Sequence, residues 1–155
     1  MAVQLGPRQR LLAVLLVAAL AWSQPKTSRI RSLEGGLSIA CPGEIGVKKE
    51  SPVEDFVLYR FSDSSGPFLL LYLGNQPQPL SGKPNAIVRS QLNHEFTADV
   101  VKRAETDGTS SGQIRVVLAR GMTWPSVAQF EYEHLSRERL SLVQSIAASL
   151  SRQRK

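Results

Sequence analysis

His94 and His134 are the two histidines of the chain and the first residues to weigh for acid–base or metal chemistry. His94-Glu95 lacks the second histidine four positions on that a helical zinc-protease site needs. A composite site of His94, Glu95 and His134 with Glu131 or Glu133 would require contact between strands. Along a strand, moreover, Glu131 and Glu133 point to the face opposite His134. Nucleophilic chemistry has little footing either. Ser64, Ser65, Ser110 and Ser111 sit in glycine-containing turn clusters, where serine is commonly a turn former, and no G-x-S-x-G elbow occurs. Nothing near Cys41 in sequence would activate its thiol, and Ile39 and Ala40 beside it favour burial. Neither a P-loop nor a G-x-G-x-x-G is present to cradle phosphate. The expectation is no metal, no cofactor and no catalysis, with a small hydrolase or metal-dependent enzyme using His134 or His94 as the alternative.

Two loops offer binding chemistry instead. Gly74 to Pro84 (GNQPQPLSGKP) holds three prolines, which make it semi-rigid and lower the entropy lost on binding. It presents Asn75, Gln76, Gln78 and Lys83. The competing reading is a stiff connector across a sheet edge. Gly121 to Pro125 sets Trp124 beside a proline, where it would either anchor a partner or lid the core under the closing helix.

The charge distribution narrows the partners. The 155 residues carry a formal charge of +6, with a sequence pI near 9.9. Arg8, Arg10, Lys26, Arg29 and Arg31 all precede the first acid, Glu34, while Arg152, Arg154 and Lys155 crowd the end. Between Ser32 and Ser151 stand 11 basic and 13 acidic residues, a formal −2. No basic patch is interleaved with aromatics there, so no nucleic-acid partner is expected. Cys41 is the only cysteine, which excludes an internal disulfide framework.

The N-terminus reads as an address. Leu11 to Trp22 (LLAVLLVAALAW) is an uncharged apolar run preceded by Arg8 and Arg10 and followed by small residues. That is the form of a secretory signal peptide, with cleavage after Ala21 or Ser23. Twelve residues make about 18 Å of helix against a hydrocarbon core of about 30 Å, which disfavours a permanent span. The alternative is an envelope protein anchored through residues 11–22. Cys41 lies too far beyond the run for a lipobox, and Ser38 stands where an aliphatic residue is needed. The expected organisation is residues 1–23 as signal peptide, 24–35 as flexible basic leader, 36–151 as a single domain and 152–155 as a basic tail. The product is expected in the periplasm or outside the cell. Its membrane contact would be limited to the N-terminal segment before cleavage, and its partner would be a protein or small ligand of that compartment.

The elements that must position these residues are mostly strands. Leu37–Ala40, Val53–Phe61, Phe68–Leu73, Glu95–Arg103, Ile114–Leu118 and Val127–Leu135 combine β-branched and aromatic residues with alternation. Val53–Phe61 and Phe68–Leu73 make a hairpin with a longer loop, and the continuous FLLLYL run predicts a strand covered on both faces. Ala86–Leu92 is either a short helix or an edge strand. Ser136 is placed to cap a closing helix with Leu140, Val143, Ile146, Ala147 and Leu150 on one face and the basic tail at its C-terminus. The fold class is α+β: a mainly antiparallel sheet of about six strands with a C-terminal amphipathic helix packed on one face. The opening strand ending at Pro42-Gly43 and the closing helix bearing Leu142-Val143-Gln144-Ser145-Ile146 resemble the small secreted α+β proteins of the PsbP/Mog1-like kind. That resemblance implies an accessory or binding protein and carries over no site residue.

Overall fold

Alternation with period two governs most of the chain. In this computed structural model the described residues are 27–53 (backbone only at 51–53), 55–81, 86–118 and 124–153. They form ten strands, one α-helix and a short 3-10 turn at Glu34–Gly36: β1 (Ser28–Leu33), β2 (Leu37–Pro42), β3 (Gly46–Val53), β4 (Phe56–Asp63), β5 (Gly66–Gly74), β6 (Val88–Gln91), β7 (Thr97–Ala104), β8 (Ser110–Val117), β9 (Val127–Leu135), α1 (Arg137–Ala148) and β10 (Ser151–Arg152). One sheet runs β3-β4-β5-β9-β8-β7-β6 and a second runs β1-β2-β10. All neighbours are antiparallel. The α+β class is as expected; the sheet is larger than six strands. The proposed signal segment, Lys83, Arg154 and Lys155 lie outside the described residues. None of the described helices is long and apolar enough to cross a membrane.

Register sorts the large sheet into two faces. Tyr59 pairs Leu71, Leu71 pairs Phe130, and Phe130 pairs Ile114, so all four share the inner face. With Phe61, Leu69 and Leu73 they build a core closed by β2 and by Leu140, Val143, Ile146 and Ala147 of α1. Cys41 is a free thiol sealed inside that core.

The molecule departs from the sequence pattern at several elements. Residues 28–33, read as part of a flexible leader, are a strand, because main-chain pairing from Ser28↔Pro42 to Leu33↔Leu37 needs no apolar pattern. Its side chains are mostly exposed and Leu33 alone is buried. The hairpin between β4 and β5 is tight, with only Ser64 and Ser65 between Asp63 and Gly66; the Asp63 carboxylate accepts from Ser65 N at 2.8 Å. Within residues 86–92, Val88–Gln91 form an edge strand, β6. Ser136 caps α1 as expected, accepting from Arg139 N at 3.3 Å. The basic tail does not end that helix. Its C-terminus is docked by Ser149, whose hydroxyl accepts from Ala40 N at 2.8 Å, while Arg152 continues into β10 with its guanidinium 5.0 Å from the Phe96 ring.

Hydrogen bonds from neutral groups and ion pairs together set the acid side of the pH dependence. The Asp63 carboxyl is held below its usual value by Ser65 N–H and then by Arg139, whose Nη2 lies 2.5–2.7 Å from both oxygens. Glu50 and Asp99 are lowered mainly by Arg60 and Arg89, Glu105 by the Ser111 hydroxyl and Arg103, and Asp107 by Thr109. Depressed native values mean the unfolded chain binds more protons, so these contributions are complete above the ordinary carboxylate range, about pH 4 to 4.5, and fade as pH falls through the native values. Thermal melts are expected to be level from neutrality to about pH 5 and to decline below it. Asp63→Asn should flatten the acid decline; an unchanged profile would remove this pair from the account.

Candidate functional site

The outer face of the large sheet is where the continuous apolar run departs from expectation. Leu69, Leu71 and Leu73 of β5 are buried, but Leu70 and Tyr72 between them are only half-buried. Beside them Phe56 and Leu58 of β4 project to the same side, since Leu58 pairs Tyr72 and Phe56 pairs Gly74. A Cβ at Gly74 would fall 2.4 Å from the Tyr72 hydroxyl and 2.9 Å from Phe56 Cβ, so glycine lets the two rings close to 5.4 Å. From Leu69 to Leu73 the run is therefore covered on one face only, with an apolar strip on the other.

The proline-bearing loop borders that strip. Tyr72 OH accepts from Gln76 N at 3.0 Å, Arg115 Nη2 donates to Gln78 O, and Ser81 N donates to Gln113 Oε1 at 2.7 Å. On the far side Asn75 Oδ1 accepts from Ser126 N at 3.0 Å, and Trp124 Nε1 donates to Asp55 O at 3.1 Å. Between them opens a cleft of about 530 Å³, floored by Phe56, Leu58, Leu70 and Tyr72 and rimmed by Asp55, Asn75, Gln76, Gln78, Trp124 and Glu131. That size lies within the ~300–1,000 Å³ of small-molecule sites.

A polar relay supports its β9 side. Gln129 is completely buried; its carbonyl accepts from Arg115 Nε at 2.9 Å and its amide donates to Glu131 Oε1 at 2.6 Å. Gln113 Nε2 donates to the same Glu131 oxygen at 3.2 Å. The arrangement orients a carboxylate at the edge of an apolar floor.

Four expected binding residues, Asn75, Gln76, Gln78 and Trp124, line this one cleft. Lys83, the fifth, is outside the described residues. Trp124 does not lid the core under α1: it is 38% exposed and hydrogen-bonded to the β3–β4 turn. The sequence shows neither the floor nor Asp55 as cleft residues and weighs Glu131 only for a histidine-based metal site; FLLLYL is the signal for the floor.

No protein-family model, curated protein or solved structure matches this chain. The resemblance to PsbP/Mog1-like proteins thus gains no support from these comparisons.

The histidines fall elsewhere. His94 is exposed, with Nε2 3.6 Å from Glu95 Oε1. His134, expected to share a face with Tyr132, takes φ +49° and turns outward to within 3.5 Å of Asp107 Oδ2, while Leu135 fills the buried position. Ser110 and Ser111, read as turn residues, already belong to β8, and Ser111 Oγ accepts from His134 N at 3.0 Å. Among the described residues no group of three His, Cys, Asp or Glu is placed to hold a metal ion.

Proposed function

We propose that the protein is an exported accessory module that binds a small, partly apolar ligand in this cleft without chemical transformation. Export rests on the Leu11–Trp22 segment and its basic flank. The observation that carries binding is convergence. Asn75, Gln76 and Gln78 from one loop and Trp124 from another meet over a floor of half-buried apolar side chains, the form of a ligand site: apolar lining with few polar groups. A ligand there also finds its walls already fixed, because both loops are tied by hydrogen bonds, to β5, to β8 and to the β3–β4 turn.

Titration with naphthylmethanol, a neutral aromatic probe, tests this reading. In a Trp22→Phe background Trp124 is the sole tryptophan, so saturable change in its fluorescence reports occupancy. Trp124→Ala, followed by calorimetry, should weaken binding about tenfold or more, as loss of an aromatic anchor does. Absence of saturable binding to the parent protein would sink the proposal.

A further inference from the structure

We infer, building on the binding function just proposed, that the ligand is an organic cation: an ammonium or guanidinium group carried on an apolar body. Asp55 and Glu131 both line the cleft, and no lysine or arginine does so among the described residues. Elsewhere the carboxylates of Glu34, Glu50, Asp63, Asp99 and Glu105 each meet a basic side chain within 3.5 Å. Asp55 and Glu131 form no ion pair among the described residues. Glu131 receives only neutral amide donors, from Gln113 and Gln129, and both fall on Oε1. The nearby cation, Arg115, is engaged by the carbonyls of Gln129 and Gln78. Three aromatic rings, Phe56, Tyr72 and Trp124, stand in the same walls, and ring faces attract cations, tryptophan most strongly.

Charge and shape thus select together. An anionic ligand would meet two carboxylates with no lysine or arginine beside them among the described lining residues, and would be repelled. A bare metal ion would find no convergent set of three ligands among the described residues. An apolar ammonium satisfies both the carboxylates and the rings, and its body occupies the Leu58–Leu70 floor.

The test compares three probes with one aromatic body on the full-length protein: naphthylmethylammonium, naphthylmethanol and naphthylacetate. Calorimetry is expected to rank the cation about tenfold tighter than the alcohol, with the anion weakest. Glu131→Gln should narrow the cation-to-alcohol ratio by several-fold, and Asp55→Asn, at an exposed position, should narrow it independently. Equal binding of cation and alcohol would overturn this inference and leave the cleft as a neutral site. Failure of all three probes to bind saturably would overturn the binding function itself.

Discussion

Gly35→Ala is expected to cost the protein about 3 kcal/mol or more, whereas Gly36→Ala should cost only about 1–2 kcal/mol. Both glycines hold the left-handed region, with φ of +71° and +69°, in the turn joining β1 to β2. Each alanine therefore bears the same conformational penalty. Only Gly35 bears a second one. A Cβ there would lie 2.1 Å from Pro125 Cδ and 2.8 Å from its Cγ, while at Gly36 nothing lies within 4 Å. Relief requires Pro125 to move, and Trp124 is its covalent neighbour. Urea unfolding should show a larger fall in midpoint for Gly35→Ala at an unchanged m-value. Naphthylmethanol should bind more weakly to Gly35→Ala alone. Equal losses for the two alanines would mean that the small sheet does not brace the Trp124 loop.

That brace illustrates what the sequence could and could not disclose. The start and buried face of the closing helix were legible, since Ser136 and the spacing of Leu140, Val143, Ile146 and Ala147 act locally and bury as expected, whereas its end, set by Ser149 against β2, was not. The extent of β9 was legible too, because its sequence alternates from Val127 to Leu135, although Gln129 is buried and His134 turned out. The edge strands were not. β3 carries Lys48, Lys49 and Glu50 in a row, and β1 offers Arg-Ile-Arg; such strands are held by main-chain bonds to a neighbour that no local pattern announces. β10 is two residues long and exists through pairing with Ser38 and Leu37. His134 escaped because period-two logic assumes an unbroken strand, whereas a register shift opposite Ser110–Gly112 turns it out.

The candidate site divides along the same line. Its loops were readable, since prolines and an isolated tryptophan mark them directly. Its floor was not, because an apolar run looks the same whether its second face meets another layer or a cleft. The carboxylates were invisible as a pair: Asp55 lies in a turn and Glu131 at the middle of β9, 76 positions later. Only the register Leu70↔Glu131 beside Leu58↔Tyr72 sets them around one opening.

Gln129→Leu should be the second most damaging of these changes, about 2–3 kcal/mol, although it adds an apolar side chain at a fully buried position. Burial of Leu instead of an amide is favourable on transfer alone. The opposing effect is larger. Gln129 accepts from Arg115 and donates to Glu131, so its loss strips a donor of its acceptor and a carboxylate of a donor in a part-buried setting. Arg115 keeps the Gln78 carbonyl and Glu131 keeps Gln113, which holds the loss below that of a wholly orphaned charge. A double-variant cycle isolates the cause: Arg115→Met should cost clearly less in the Gln129→Leu background than in the parent. Additive losses would reduce Gln129 to a packing residue. The same substitution separates stability from recognition. With Gln129 gone, Glu131 is held on Oε1 by Gln113 alone, so the cation-to-alcohol binding ratio should fall in the folded variant. A variant that unfolds more easily yet keeps the full ratio would show that Glu131 is oriented from β8 by Gln113 and that the relay through β9 serves the fold alone.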